Sequence, residues 1–271
     1  MSLFDPVQAS ASMPALAAGG RVVALADIDP DLVRLLPADR EGAARQELGV
    51  RVFTLPRGRW PIEDAVVDAT HLGLLVVDGI LGRELVADDV TSIELLGPGD
   101  LLRPWDEAAQ SELVETAVSW SALAPTRLAI LDRHVAVRLA GYPEIHAALL
   151  ERCAFRARRL AVLQAISHLN RVDRRLLTLF WHLAERWGRV TRDGVVVPLA
   201  LSHRILGQLV GARRPTVSTA LAKLVREGDV ARADDGTWLL IGRPVGAPDP
   251  RAVVNVLPRR SMLASAQAVP D

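Results

Sequence analysis

The sequence predicts an α+β protein with three successive parts: a mainly β domain, one long helix, and a small helical domain that ends in a β-hairpin. Apolar residues between Arg21 and Leu139 form short runs separated by turn signals, whereas after Pro143 they recur every three or four residues. Residues 202–241 then hold two short helical patterns and a hairpin pattern. The predicted boundaries are 1–20 for a flexible N-terminus, 21–141 for the β domain, 142–169 for the long helix, 170–242 for the helical domain and 243–271 for an irregular C-terminal tail.

The charges of the chain are unevenly placed. The 271 residues include 32 basic and 32 acidic side chains, so the formal net charge is zero. Neutrality argues against a nucleic-acid binder, which usually carries an excess of positive charge. However, residues 151–260 hold 20 basic and 9 acidic side chains, whereas residues 1–150 hold 12 basic and 22 acidic. This asymmetry predicts a basic functional module in the C-terminal half.

Composition excludes several classes of protein. The single cysteine, Cys153, excludes an intramolecular disulfide and any zinc or iron–sulfur site built on several cysteines, and it fits a reducing compartment. No uninterrupted apolar run is long enough for a membrane span, and the N-terminus lacks the pattern of a signal peptide, so a cytoplasmic location is expected. No nucleophile–base pair, phosphate loop or paired-carboxylate pattern is found, so an enzyme is not predicted.

The histidines and tryptophans give no firm ligand site. No close metal-ligand pair exists among the six histidines, so no metal or other cofactor is predicted, although a haem site assembled from distant histidines stays open. These histidines are His71, His134, His146, His168, His182 and His203. Trp60, Trp105 and Trp120 are candidates to line an effector pocket, with core filling as the default interpretation.

Short apolar runs predict the strands of the N-terminal domain. Leu72–Val77, Ile93–Leu96 and Leu128–Leu131 have the length of strands, and the first two are followed by turn signals. A mixed α/β domain is the alternative, because Asp31–Leu36 and Ala43–Leu48 are compatible with helices.

The long helix carries a broad apolar stripe. Its residues are Ile145, Leu149, Cys153, Ala157 and Leu160. A helix of about 25 residues that leaves a β domain must bury such a stripe, and we expect the matching helix of a second subunit to cover it. Packing against its own domain is the alternative. Because Cys153 lies on the stripe, packing is preferred to redox sensing for this residue.

A further helix precedes the informative C-terminal segment. Asn170 is its predicted start and Gly188 its end, and a short strand is predicted at Val195–Leu199. The predicted buried face consists of Leu176, Leu179, Phe180, Leu183 and Trp187.

Two short helices joined by a glycine turn follow this helix. Ser202 is a suitable N-cap for the first, Gly211 suits the left-handed residue that ends it, and Pro215 is tolerated in the first turn of the second, which Gly228 ends. This order predicts a helix-turn-helix. The following runs flank Asp234-Asp235-Gly236, a strong hairpin signal, and therefore predict a wing.

The outward face of the second short helix is polar and basic. Hydroxyl and guanidinium groups near a helix N-terminus suit phosphate oxygens and the base edges of the major groove, whereas a helical hairpin stacked for packing alone is the alternative. Ser202 and His203 are expected to anchor the DNA backbone. The full set of predicted DNA-binding residues is Ser202, His203, Arg213, Arg214, Thr216, Ser218, Thr219 and Lys223.

At these residues the chain resembles the Crp–Fnr family of bacterial transcription regulators. The specific part is the segment from Gly207 to Arg214 followed by Thr216-Val217, and Gly97-Pro98-Gly99-Asp100 is a weaker similarity. The resemblance implies an antiparallel β-roll (double-stranded β-helix) sensor domain, a dimerisation helix and a winged helix-turn-helix. It further implies a homodimer on pseudo-palindromic double-stranded DNA, with RNA polymerase as a candidate partner and an effector whose identity stays unknown.

The sequence departs from the family pattern in the helix-turn-helix and in the β domain. Pro215 stands where many members carry a base-reading Glu, so the preferred DNA sequence should differ. Arg103-Pro104 replaces the Gly-Glu of members that bind a cyclic nucleotide, and the following segment, Trp105–Glu115, is acidic, so nucleotide binding in the family manner is not expected. Arg103 and Arg127 are candidates to meet an anionic ligand, but salt bridges at the surface are the more common role for such residues. Alternatively, the β domain is a ligand-free protein-interaction platform, or it senses haem or another small molecule.

Overall fold

The computed structural model describes residues 20–61, 71–109 and 114–243, which form two compact units. One unit runs up to Ala161 and the other begins at Val162. Apart from Gly20 and Arg243, the predicted flexible N-terminus and irregular tail lie outside the described residues, as does part of the acidic segment after Trp105.

Two antiparallel sheets form most of the first unit, which confirms the predicted fold class. One sheet has the order β1-β2-β9-β4-β7 and the other the order β3-β8-β5-β6. The strands are β1 Arg21–Ala24, β2 Gly49–Leu55, β3 Gly58–Trp60, β4 Gly73–Asp78, β5 Leu81–Ala87, β6 Val90–Leu96, β7 Leu101–Leu102, β8 Thr116–Ala122 and β9 Thr126–Leu131. The three apolar runs predicted as strands fall in β4, β6 and β9.

Helices accompany these strands in the described part of the chain. They are α1 Leu25–Ile28, α2 Ala38–Glu47, α3 Arg133–Leu139 and α4 Pro143–Ser167. The alternative of helices in this domain was therefore correct for most of Ala43–Leu48, whereas Asp31–Leu36 contributes only to the 3₁₀ turn Pro30–Leu32. Asp132 caps α3, because its side chain accepts a hydrogen bond of 3.0 Å from the Val135 amide.

Tryptophan fills the core between the sheets. Trp60 and Trp120 are buried, and their rings meet edge-on with centroids 6.1 Å apart. Trp105 packs against the same cluster. The default interpretation of these residues as core filling holds for Trp60 and Trp120.

The apolar stripe of α4 divides into two parts. Ile145 and Leu149 are buried in the core of the first unit, so these two predicted dimerisation residues pack on their own domain, as the alternative interpretation proposed. Cys153, Ala157 and Leu160 are exposed in the single chain. The packing expected of Cys153 is not found within the single chain. Periodicity identifies an apolar face, but it does not say which surface covers that face.

Three arginines fix α4 to the β domain within the first unit. Arg152 contacts Asp29, Arg156 binds Glu94 with both ends of its guanidinium at 2.6 and 2.8 Å, and Arg159 contacts Asp100. Binding to Glu94 raises the pKa of Arg156 above its ordinary value. We call these three pairs the arginine ladder.

The second unit is a helical domain with a small sheet. Its elements are α5 Val172–Trp187, β10 Arg189–Val190, β11 Val195–Val197, α6 His203–Val210, α7 Arg214–Glu227, β12 Val230–Arg232 and β13 Trp238–Leu240. The sheet has the order β10-β11-β13-β12 and is antiparallel. Arg171, not Asn170, is the N-cap residue of α5. Leu176, Leu179, Phe180 and Leu183 form its buried face as predicted, whereas Trp187 is half-buried. No helix in residues 20–61, 71–109 and 114–243 is long and apolar enough to cross a membrane.

Candidate nucleic-acid interface

Local signals in the sequence fix the turn between α6 and α7. The Ser202 side chain caps α6 by accepting a hydrogen bond of 3.2 Å from the Ile205 amide. Gly211 ends the helix with φ of +63°, a left-handed conformation that a side chain would strain. A Cβ atom at Gly207 would overlap the carbonyl oxygen of Ala212, so the two arms of the turn approach each other because Gly207 has no side chain.

Helix α7 packs on the rest of the unit through one apolar face. Val217, Ala220, Leu221 and Leu224 are buried, and this orientation turns the remaining positions of its first two turns outward. Pro215 lies in the first turn, where its missing amide hydrogen breaks no helical hydrogen bond.

The structure exposes most of the predicted DNA-binding residues. Arg213, Arg214, Thr216 and Thr219 are exposed on α7 or at its cap, and Ser202 is exposed at the start of α6. In the part of the chain that the structure describes, neither Arg213 nor Arg214 has an acidic side chain within salt-bridge distance. These two guanidinium groups are therefore available to an external anion.

Two hydroxyl groups on α7 use their hydrogens within the helix. Ser218 Oγ donates to the Arg214 carbonyl at 3.1 Å, and Thr219 Oγ1 donates to the Pro215 carbonyl at 3.2 Å. Ser218 also contacts α6, because its Oγ lies 2.8 Å from Nδ1 of His203. The structure thus brings His203 and Ser218 together across the helix-turn-helix.

Lys223 is half-buried and has acidic partners within the second unit. Its ammonium group contacts Asp173 of α5 and lies 3.7 Å from Glu227. Hydrogen bonds from Arg171 and then from Lys223 hold the pKa of Asp173 far below its ordinary value. Unlike the exposed arginines of the predicted set, Lys223 therefore connects α7 to α5 through an ion pair.

Arg232 is a residue of this surface that the sequence interpretation missed. It lies on the wing strand β12, and its guanidinium carbon is 5.5 Å from the centre of the Trp238 ring. Its charge, together with that of Arg214, acts on His203. A basic residue shortly before the wing turn was the available signal in the sequence, but only the fold brings its charge near His203 of α6.

The groups of the first unit that are candidates for anion binding form hydrogen bonds or salt bridges with other residues of the same unit. Asp100 accepts a hydrogen bond of 2.9 Å from the Gly97 amide in the turn that resembles the family's phosphate segment. Arg103 pairs with Asp106 at 2.5 Å, and Arg127 pairs with Asp78 at 2.5 Å. Both arginines therefore form the salt bridges that were expected of them. The described residues contain no group of three His, Cys, Asp or Glu side chains that could hold a metal ion.

Sequence comparison identifies the C-terminal domain. Residues 170–241 match the family model of the Crp-like helix-turn-helix domain. An HTH-type transcriptional regulator, ycf28, of Porphyra purpurea is 29% identical over 63 residues, which are 23% of this chain and 26% of that relative. The match thus spans about a quarter of the relative's length.

Solved structures share the fold of most of the chain. A cyclic nucleotide-binding domain containing protein from Listeria monocytogenes has a TM-score of 0.59 at 18% identity, covering 78% of this chain and 96% of its own. FixK2 from Bradyrhizobium japonicum has a TM-score of 0.53 at 17% identity, covering 70% and 92%. A CRP-family transcriptional regulator from Thermus thermophilus has a TM-score of 0.51 at 19% identity, covering 70% and 91%. Residues 170–241 are therefore a Crp-like helix-turn-helix domain, and most of the chain has the fold of these solved structures.

Proposed function

We propose that this protein is a DNA-binding transcription regulator of the Crp/Fnr type and that it acts as a homodimer on pseudo-palindromic double-stranded DNA. The observation that carries the proposal is the exposed N-terminal end of α7, where Arg213 and Arg214 lack acidic partners among the described residues. The N-terminus of a helix favours anions, and a second helix of this motif is suited to enter the major groove. Arg213 and Arg214 would contact phosphates and guanine, and Thr216, Ser218 and Thr219 would tune base choice.

The positions around this end extend the proposed contact surface. Ser202 and His203 at the start of α6 would hold the DNA backbone on one side of α7, and Arg232 of the wing would add a third guanidinium group. Lys223 is left out of this group, because Asp173 and Glu227 neutralise its charge.

The exposed part of the α4 stripe supports the homodimer. Cys153, Ala157 and Leu160 follow one another at helical spacing, and the neighbouring Leu150 is 71% exposed. A second copy of α4 would cover these apolar side chains. Ile145 and Leu149 take no part in this contact, because they are already buried in the first unit.

The N-terminal unit is proposed to be the sensor or interaction domain of the regulator, in a cytoplasmic protein that works with RNA polymerase. Asp100 already binds the turn amide of Gly97, and Arg103 is engaged by Asp106. These internal contacts favour an effector other than a cyclic nucleotide held in the family manner, or a platform for another protein. Thermal-shift measurements with nucleotides, haem and small anions distinguish a ligand sensor from a platform.

Selection of bound sites from random duplexes tests DNA binding, site symmetry and dimerisation together. We expect enriched sequences with two inverted half-sites whose centres are about 34 Å, or one helical turn, apart. The Arg214→Ala variant should lose this enrichment, whereas Arg226→Ala removes an equal charge from the last turn of α7 and should keep it. Failure to enrich any duplex would overturn the proposed function, and a single asymmetric half-site would overturn the homodimer.

A further inference from the structure

A histidine joins the two helices of the motif. His203 is the first residue of α6, and its Nδ1 lies 2.8 Å from Oγ of Ser218 on α7. The same Oγ lies 3.1 Å from the Arg214 carbonyl oxygen, which only accepts hydrogen bonds. Because a hydroxyl has a single hydrogen, Ser218 donates to Arg214 and accepts from His203. Nδ1 therefore carries a hydrogen, and any further proton binds at Nε2.

The charges that act on this ring are positive on two sides. Arg214 approaches from α7 and Arg232 from the wing strand β12. From α5, Arg175 donates to the carbonyl oxygens of Val210 and Gly211, at the opposite end of α6. Partial burial of the ring, then Arg232 and then Arg214, lowers the pKa of His203 below its ordinary value. The free protein therefore favours the uncharged form of the ring.

Bound DNA would bring negative charge close to the His203 ring, which has positive charges near it in the free protein. Phosphate oxygens bound by Arg214 and Arg232 would neutralise the two charges that repel a proton from the ring, and the phosphates themselves attract one. A protonated Nε2 would then donate to the backbone from the N-terminus of α6. We propose that binding of duplex DNA to this surface is coupled to uptake of one proton by His203, so that affinity rises as the pH falls.

The sign of the effect follows from linkage. A group that binds its proton more tightly in the complex than in the free protein strengthens the complex at low pH, and this gain is lost as the pH rises through the pKa of the bound state. The window therefore begins below about pH 6.5, the ordinary value for histidine, and ends at the pKa of His203 in the complex. Within the window, the dissociation constant should change by up to about tenfold per pH unit for one proton.

The inference rests on the proposed function and is tested with the full chain. The probe is a duplex recovered in the selection described above, and its dissociation constant is measured from about pH 5.5 to about pH 8.5 at constant ionic strength, a range that brackets the ordinary pKa of histidine. The wild type should bind more tightly as the pH falls, whereas His203→Gln should give a flat profile. His168→Gln, which changes an exposed histidine of the same unit, should keep the wild-type slope.

The arginines provide a second, independent readout. Arg232→Ala removes one charge that repels the proton in the free protein, so the pH dependence should begin at a higher pH and be smaller. Arg226→Ala removes the same charge from the other end of α7 and should leave the shape of the profile unchanged. NMR titration of the His203 Cε1–H signal, assigned by comparison with His203→Gln, should give a higher pKa in the complex than in the free protein.

The outcomes separate the two proposals. If no duplex binds at any pH, the proposed function is wrong. If duplexes bind and the wild type and His203→Gln have the same slope, or if the His203 signal titrates alike with and without DNA, only the proton coupling is wrong. If His203→Gln does not fold, the NMR comparison on the wild-type chain, with the signal assigned instead by Ser218→Ala perturbation, decides the question.

Discussion

Two groups of arginines present the same side chain in opposite surroundings. On α4, Arg152, Arg156 and Arg159 each contact a carboxylate of the β domain. On α7 and at its cap, Arg213 and Arg214 are exposed and, among the described residues, have no acidic side chain within salt-bridge distance. The excess of basic residues in the C-terminal half of the chain therefore includes arginines that hold the protein together and arginines that are free to bind something else.

An arginine's place in the basic half of the sequence therefore does not determine its role. A half-buried guanidinium with a carboxylate partner contributes to folding, and its loss leaves an uncompensated charge. An exposed guanidinium contributes little to stability but supplies several hydrogen-bond donors to a phosphate or to guanine. The two groups should consequently respond differently to salt and to mutation.

The largest expected contrast is in the response to salt. Duplex affinity should fall by about a thousandfold between about 50 and 200 mM salt, because bound phosphates release counterions. The free energy of unfolding should change by less than about 1 kcal/mol over this range, because the half-buried pairs of the arginine ladder are screened weakly. Fluorescence anisotropy and urea denaturation at matched salt concentrations measure the two quantities. An affinity that is independent of salt would contradict the role of Arg213 and Arg214.

Removing a carboxylate of the arginine ladder should reduce stability. Glu94 binds Arg156 and lies 3.8 Å from Arg83, so Glu94→Gln deprives both guanidinium groups of this negative charge. We expect a loss of about 3 kcal/mol in the free energy of unfolding by urea. Glu115→Gln removes the same charge from an exposed position and should change it by less than about 0.5 kcal/mol. Equal effects of the two variants would show that the ladder is not stabilising.

Truncation of an exposed arginine should have the converse effect. Arg214→Ala should reduce the binding free energy for a selected duplex by about 1–3 kcal/mol, with a change in stability below about 0.5 kcal/mol. Titration of selected and scrambled duplexes separates the two kinds of contact: loss on the selected duplex alone indicates a guanine contact, and equal loss on both indicates a phosphate contact. A variant that binds both duplexes like the wild type would remove Arg214 from the interface.

The smallest expected effects come from removing two helix caps. Asp132 caps α3 in the first unit and Ser202 caps α6 in the second, each by accepting one backbone hydrogen bond. Asp132→Ala and Ser202→Ala should each lower the free energy of unfolding by about 1 kcal/mol. Only Ser202→Ala should also weaken DNA binding, by removing a backbone contact and loosening the start of α6. Reduced affinity in both variants would mean that lowered stability alone accounts for the effect.

The parts of the fold that short-range signals determine were predicted well. The cap at Ser202, the left-handed Gly211 and the hairpin of the wing all depend on neighbouring residues, and the structure has each of them. Helix α2 was recognised only as an alternative, because it is mostly polar and has a single buried residue, Ala44. A helix without an apolar stripe gives no periodic signal.

Contacts between distant residues could not be predicted in this way. Helical spacing placed Lys223 on the outward face, but its partner Asp173 lies 50 residues earlier in the chain. The stripe of α4 was identified correctly as apolar, yet the burial of Ile145 and Leu149 depends on the β domain packed against them. Arg232 was missed for the same reason, since the return of the wing towards α6 is a property of the tertiary fold.

The hydrogen bond from Thr219 to the Pro215 carbonyl limits which bases this side chain can recognise. Because its only polar hydrogen is used within α7, Thr219 can offer a base edge a lone pair and a methyl group, but no donor. Adenine and cytosine amino groups and the thymine methyl suit such a partner, whereas the major-groove edge of guanine, with N7 and O6, presents acceptors only. The base pair opposite Thr219 in selected sites should therefore disfavour guanine at the contacted strand. The arginines about one and a half turns earlier can only donate and should favour it.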